Sequence, residues 1–471
     1  MSFNSSIFFL FIAIVITINY LLPQRFRSRL LLFASFLFIG YYNMESLVAV
    51  LVFSFFNFYI SKRISGNRWL YIVGIILNSY AIIMFNYFFA AKHGFDFSYS
   101  VISFNVNSFI IALGLSFYSL QNIAYLTEVY FKRWQAEISI RNYIFYNAFF
   151  PKVMSGPVMT PREFMPQIDR NAITKEKLIQ GFNRILLGLF KKMVIADRLA
   201  PAVHSIFDFG DTYNGLTTLI GIYLFTIQLY FDFSGYTDMA LGVSKMLGYD
   251  LKENFDLPLR SGSVSEFWRR WHISLISWFT NYIYYPLVYK FRTYKKLAAL
   301  IGILVTFLVS GVWHGIGITF IIWALCHILY LGFELLTKHF RSGFSEKFNS
   351  PLLRSVSVFI VFNAVCFSNV FFRSGSLSSA LSLLRNTMSD FIPGNWLSDL
   401  VAPLAVGGHQ IDEFNFYISI LLMAVFLLFE RRINRIAIAE KLSTYYIIVC
   451  LLLIFLFGVF NVGERFIYMQ F

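Results

Sequence analysis

Charged side chains are scarce in this sequence. Only 14% of its 471 residues are Asp, Glu, Lys or Arg, where soluble globular chains carry about a quarter. With 58% hydrophobic residues and a mean hydropathy of +0.63, that deficit excludes a water-soluble globule and leaves a polytopic membrane protein. Cysteine is nearly absent: Cys326, Cys366 and Cys450 lie scattered in apolar runs. They show neither CxxC nor metal-ligand spacing, so a disulfide framework and a zinc site are excluded and no metal is expected. They read as small buried hydrophobes. Glycine-rich phosphate loops, HExxH and GxSxG are all missing, which removes nucleotide-binding and soluble hydrolase domains. Acidic residues are the rarer charge, 25 against 39 Lys plus Arg, a net +14. In a membrane protein that excess belongs in cytoplasmic loops against anionic lipid and needs no nucleic-acid partner.

Long apolar runs fill the space that charge leaves. The first, Ser6 to Leu22, has no preceding positive side chain and no small-residue cleavage site, and reads as a retained span. Runs from Leu30 to Tyr42, Leu47 to Ile60, Trp69 to Ala90 and Ser108 to Tyr130 follow. Several fall short of the ~20 residues of an upright crossing. Arg25/Arg27/Arg29, Lys62/Arg63/Arg68 and Lys132/Arg133 occupy every second loop, while the alternate loops hold Glu45 and then Lys92 with Asp96. The positive-inside rule puts those basic loops in the cytoplasm and the N-terminus outside. The basic separator Arg431, Arg432, Arg435 and Lys441 does the same for the last two runs, leaving the C-terminal tail outside.

The middle of the chain is less regular. Pro151, Gly156, Pro157 and Pro161 interrupt an aromatic stretch between Ala136 and Lys192. Broken backbone at membrane depth survives only inside protein or around a water-filled cavity. This reads either as a re-entrant, cavity-lining segment or as a cytoplasmic loop with a membrane-dipping corner. Leu178, Phe182, Ile185, Leu186 and Leu189 then mark one helix face, with Glu176, Lys177, Arg184, Lys191 and Lys192 largely on the other, as in an interfacial helix. A span over Tyr213–Phe233 is expected to end in FDFSGYTD, which carries Asp232 and Asp238; these serve a proton relay or pair with Arg269 and Arg270. Leu251–Leu259 reads as a loop. Further spans are expected near Leu297–Trp313, Ile316–Leu336, Ser355–Phe372, Asn415–Leu428 and Tyr445–Phe460, with an amphipathic helix around Leu377–Leu384.

Two stretches place ionisable groups where lipid makes them costly. SVSEFWRRWHISLISWFTNYIYYP, Ser263 to Pro286, carries Glu266, Arg269, Arg270 and His272 among aromatics. On a continuous helix Trp268, Trp271 and His272 would share one face, and Glu266, Arg269 and Arg270 another. The stretch is either a functional site or an interfacial helix with its tryptophans in the headgroup belt. FLVSGVWHGIG, Phe307 to Gly317, ends an apolar span in Trp313 and His314. An imidazole, with an ordinary pKa of ~6.5, suits general-base work near neutral pH; a histidine at a helix end can equally be structural.

RRWHISLISWFTNYIYYPL followed by SGVWHG resembles the membrane-bound O-acyltransferases (MBOAT), in particular the bacterial branch that modifies cell-surface polysaccharides. GLSFYSLQNIAYLTEVY (Gly114–Tyr130), FFPKVMSGPV (Phe149–Val158), FDFSGYTDMALG (Phe231–Gly242), VFFR (Val370–Arg373) and the terminal FIYMQF (Phe466–Phe471) extend the likeness from about Gly114 to the end of the chain. The resemblance implies an all-α polytopic membrane protein, a helical bundle with re-entrant segments around a central tunnel. It implies one domain over residues 1–471: N-terminal spans to 135, a core from 136 to 373 holding both histidines, then the outer loop, the last spans and the tail. His314 matches the family's catalytic histidine and His272 its second recurrent polar position, in a supporting or oxyanion-stabilising role. Trp268, Arg269, Arg270, Trp271, Trp313, Asp232 and Asp238 are the expected substrate-side residues, and Tyr468 in FIYMQF the expected acyl relay. The remaining histidines match none of these motifs.

The activity implied is O-acyl transfer, of acetyl, from a cytoplasmic thioester such as acetyl-CoA, with no bound cofactor. The acceptor is an extracytoplasmic glycan, reached through an SGNH-like acyltransferase partner outside a bacterial inner membrane. Two other readings stay open on the residues alone. One is a relative acylating a lipid or protein directly; the other is a transporter or flippase using Asp232, Asp238 and Arg270 as a polar pathway.

Overall fold

The computed structural model describes residues 3–92, 113–168, 170, 172–341, 350–388, 413–439 and 443–460. Among them every regular element is a helix and none is a strand. That follows from the composition, because in lipid a lone apolar run satisfies its backbone N–H and C=O groups only as a helix. Four N-terminal helices come first: α1 (Ser6–Leu21), α2 (Gln24–Tyr42), α3 (Met44–Arg63) and α4 (Arg68–Lys92). Next is α5 (Leu115–Tyr130), then three short pieces, α6 (Ile140–Ala148), α7 (Phe150–Val153) and α8 (Pro161–Phe164). The central group holds α9 (Lys175–Leu189), α10 (Asp197–Asp208), α11 (Gly215–Met246), α12 (Val264–Arg270), α13 (Ile273–Phe279) and α14 (Tyr285–Lys290). The remainder are α15 (Lys296–His314), α16 (Ile318–Leu336), α17 (Pro351–Arg373), α18 (Leu377–Asn386), α19 (Glu413–Ala437) and α20 (Thr444–Phe457). Six described helices are long and apolar enough to cross a membrane.

The interrupted aromatic stretch is enclosed by protein. Every residue from Tyr143 to Met159 is buried. Gly114 meets it at close range: its backbone is left-handed, φ 72°, and a Cβ there would sit 2.1 Å from the Val153 carbonyl. Only glycine fits such a contact. Lys152 is completely buried and donates to Gln121 Oε1 and the Tyr146 carbonyl, with the Tyr146 and Phe164 rings each 4.8 Å from its ammonium.

Three expectations are corrected here. α9 does not lie at an interface with its cations outward; it packs along α11 on glycines. A Cβ on Gly188 would fall 2.5 Å from the Gly235 carbonyl, and one on Gly242 would fall 2.5 Å from the Gly181 carbonyl. Small residues let two helix backbones approach this closely where lipid supplies no hydrophobic drive. The chain after α9 widens into a π-turn, Phe190–Ala196, which rotates Lys191 and Lys192 inward.

There Lys192 meets Asp232 and Asp197, each at 2.7 Å, while Lys191 and Arg184 each meet Asp238 at 2.7 Å. Asp232 and Asp238 are therefore paired with the α9 side of the bundle rather than with Arg269 and Arg270. Charges removed from water persist only when paired in this way. The third correction concerns α11, which runs 32 residues and carries FDFSGYTD inside it rather than after it. The polar residues of that motif face protein, so the drop in hydropathy does not mark a helix end.

Candidate active site

The stretch around His272 is not one helix. α12 stops at Arg270, Trp271 is extended (φ −102°, ψ 129°), and His272 turns left-handed (φ 44°, ψ 51°) to cap α13. The expected shared face of Trp268, Trp271 and His272 is therefore broken at its middle. The polar loop after α11 explains the break. Asp256 N–H donates to the Arg270 carbonyl at 3.0 Å, Ile273 N–H to the Asn254 carbonyl at 2.9 Å, and Ser274 N–H to Asn254 Oδ1 at 3.1 Å. These bonds replace those the helix gives up. A left-handed non-glycine residue costs about 1–3 kcal/mol and persists only where its surroundings hold it.

His272 is 1% exposed and packs edge-on against Phe233, with ring centroids 4.7 Å apart. Burial, and then the neighbouring His314, hold its pKa well below the ordinary imidazole value, so it is neutral.

His314 closes α15 and is 6% exposed. Its ring is surrounded by Trp313, Phe372 and Trp323 at 4.7, 5.1 and 5.2 Å between centroids. The α15 terminus has no glycine in a left-handed cap, because Gly315 is extended (φ 172°). Asn86 of α4 supplies the cap instead, its amide donating to the Val312 carbonyl at 3.0 Å and the Trp313 carbonyl at 2.7 Å. Those carbonyls are among the last four, which a helix cannot satisfy internally. Tight packing also excludes a side chain at Gly315, where a Cβ would lie 2.2 Å from the Phe320 ring.

A third histidine stands behind Trp323. Trp268 Nε1 donates to His327 Nδ1 at 3.2 Å, and Ser368 Oγ, which donates to the Val365 carbonyl, lies 3.1 Å from His327 Nε2. An indole only donates, so Nδ1 accepts and the proton of the neutral ring sits on Nε2, facing Ser368. His327 is fully bonded and fixes Trp268, whose ring also meets Trp323 at 5.8 Å. It carries no motif, but an ionisable residue inside an apolar span is itself a signal.

The separate sequence motifs converge here. Phe117 and Leu120 of the Gly114–Tyr130 stretch meet Trp313 and Trp278: the Phe117 and Trp313 centroids are 5.7 Å apart, and Trp278 Nε1 donates to the Leu120 carbonyl at 2.9 Å. Val158 N–H donates to Ser274 Oγ at 3.0 Å, tying FFPKVMSGPV to α13. Phe372 of VFFR rests on His314. Beside Trp313 an apolar cavity of about 490 Å³ runs between α4, α5, α15 and the turn after α13, past Ile82 and Ile75 to Tyr71 and Thr127.

The other expected residues lie elsewhere. Trp271 stacks on Phe267 at 5.4 Å and meets Phe255 at 5.2 Å, within the wall behind His272. Arg270 pairs with Glu266 at 2.8 Å. Arg269 lines a separate cleft of about 850 Å³ with Lys338, Arg341 and Arg354. Tyr468, with His93 and His409, lies outside the described residues. Among the described residues no group of three or more His, Cys, Asp or Glu could hold a metal ion. What the cluster can do is accept a proton on an imidazole in a buried, ring-lined enclosure.

The sequence profile of the MBOAT, membrane-bound O-acyltransferase family matches residues 31–375. The chain is 35% identical over 420 residues to the probable alginate O-acetylase AlgI of Azotobacter vinelandii, covering 85% of this chain and 80% of that one. It is 30% identical to the peptidoglycan O-acetyltransferase of Helicobacter pylori over 389 residues, 75% of this chain and 72% of that one. To the teichoic acid D-alanyltransferase of Bacillus subtilis it is 30% identical over 278 residues, 55% and 68% of the two chains. The profile spans most of the chain and takes in both motif histidines and the rings around them; this multi-pass helical membrane protein is an acyltransferase belonging to the membrane-bound O-acyltransferase family.

Proposed function

We propose that the chain is an O-acetyltransferase moving an acyl group from a cytoplasmic thioester, acetyl-CoA, across the membrane for O-acylation of an extracytoplasmic polysaccharide or cell-wall glycan. One observation carries the reading: a single imidazole, His314, ends a membrane-spanning helix inside a cage of Trp313, Trp323 and Phe372. The names of the relatives, which act on alginate, peptidoglycan and teichoic acid, support the acceptor class.

His314 takes the proton of the attacking hydroxyl, and neutral His272 orients it from the side of Phe233. Arg269 stands in its basic cleft with Lys338, Arg341 and Arg354, a cationic surface that draws the anionic donor toward this side of the protein. The cleft lies at the end of α15 and α16 that adjoins the Lys290–Lys296 loop, which positive-inside counting assigns to the cytoplasm. Tyr468 is the acyl relay, a phenol whose ester divides one difficult transfer into two easier ones. An SGNH-like transferase outside a bacterial inner membrane completes delivery, and both termini lie on that outer side. The whole chain acts as one domain. Substituting His314 by alanine abolishes acetylation of the cell's envelope polymer at unchanged membrane abundance. Acetylation near the wild-type level in that variant refutes the role of His314.

A further inference from the structure

Trp313 is 8% exposed, yet no described residue of the chain accepts a hydrogen bond from its Nε1. Buried N–H groups in folded proteins are almost always paired, so an acceptor beyond the described residues is owed to this one. Poor packing is not the reason, since the indole is held edge-on by Phe117 at 5.7 Å, Phe279 at 6.4 Å and His314 at 4.7 Å. The same residue lines the 490 Å³ cavity, whose walls are mostly apolar, Ile82, Leu120, Phe279 and Val312 among them, with hydroxyls at Tyr71, Ser79, Thr127 and Tyr282. An unmatched donor, an apolar cavity and an imidazole thus meet at one position.

We propose that Trp313 Nε1–H binds the carbonyl oxygen of the acyl thioester, and that the cavity from Tyr71 to Trp313 is the channel holding the thioester's slender arm. The inference rests on the acyl-transfer reading above. An indole N–H donates and never accepts, and the acyl carbonyl is the acceptor on such a ligand that gains charge during reaction. The acceptor hydroxyl gives its proton to His314 as its oxygen bonds to the carbonyl carbon. The carbonyl oxygen becomes an oxyanion facing the Trp313 N–H. When it collapses the C–S bond breaks, and the leaving thiolate takes the proton back from His314. Trp313, rather than His272, then stabilises the oxyanion.

Purified protein in lipid nanodiscs, supplied with acetyl-CoA, the SGNH-like partner transferase and a soluble glycan oligomer, is assayed by thiol release over a His314→Ala background. Trp313→Phe keeps a ring and deletes the donor. It lowers kcat ~100-fold, the usual loss for one oxyanion donor, with KM for acetyl-CoA within about threefold and no drop in Tm. Ile75→Trp plugs the channel far from the reacting atoms and raises KM at least ~10-fold with kcat retained, as expected when only binding is lost. A Trp313→Phe enzyme with wild-type kcat overturns the proposal. So does one whose lost activity comes with a lower Tm, because that is a packing role. An unchanged KM in Ile75→Trp overturns the channel. If wild-type and His314→Ala release thiol equally, the acyl-transfer reading itself fails.

Discussion

His272, His314 and His327 are three buried imidazoles with different surroundings. His272 sits in strained backbone beside Phe233, His314 ends a helix inside aromatic rings, and His327 is held at both nitrogens. The depressed pKa of His272 has a consequence for stability. A group whose folded pKa lies below its unfolded one binds more protons when unfolded. Its contribution is present above the unfolded value of ~6.5 and is lost as pH falls through the folded one. The unfolding midpoint should therefore drop on acidification below about pH 6.5, and His272→Gln should flatten that slope; equal slopes in the two proteins contradict the assignment. His327→Leu leaves the Trp268 N–H without an acceptor and should lower stability by about 1–3 kcal/mol in a denaturation series. No change there would mean the bond does not form. Motif spelling made His272 and His314 legible, because RRWHIS and GVWHG put them beside tryptophans and glycines. His327 and Asn86 escaped it, since each is one polar residue in an apolar run, and their meaning depends on partners 59 and 227 positions away.

At the scale of elements, the site is held by caps and breaks rather than by continuous helices. Asn86 ties α4 to the end of α15, and the Asn254–Asp256 loop supports the break between α12 and α13. Asn86→Leu removes hydrogen bonds worth about 0.5–1.5 kcal/mol each and frees the turn bearing His314. Acetyl transfer should fall more steeply than stability, and Asn86→Gln, which keeps the donor, should recover part of the rate. A rate unaffected in Asn86→Leu contradicts a positioning role. Helical periodicity located α9 and α18, and an apolar run the first part of α11, but what α9 faces was misjudged. Its cations looked solvated because their partners, Asp232 and Asp238, lie 40 and 47 or more residues downstream. The break at Trp271 was equally hidden, because nothing in WRRWHIS itself is a helix breaker; the loop's hydrogen bonds decide it.

For the molecule as a whole, lipid is the organising solvent. Composition alone established a polytopic membrane protein, from 14% charge and long apolar runs; the all-helical fold was implied by the family resemblance and is what the described residues show. Span lengths were harder to read: α11 continues through FDFSGYTD because protein, not lipid, surrounds its polar residues. The proposed orientation predicts that, with Cys326, Cys366 and Cys450 replaced by alanine, a cysteine at Lys62 resists a membrane-impermeant thiol reagent in intact cells while one at Glu45 reacts. The reverse pattern would invert the donor and acceptor sides. The central claim, that His314 transfers acyl groups across the bilayer, has a direct test. Proteoliposomes are prepared with labelled acetyl-CoA on the side of the basic loops and a hydroxyl-bearing glycan acceptor on the other. Wild-type protein should carry label onto the acceptor or onto itself, and His314→Ala at equal reconstituted amount should carry none; equal labelling by the two would contradict the account.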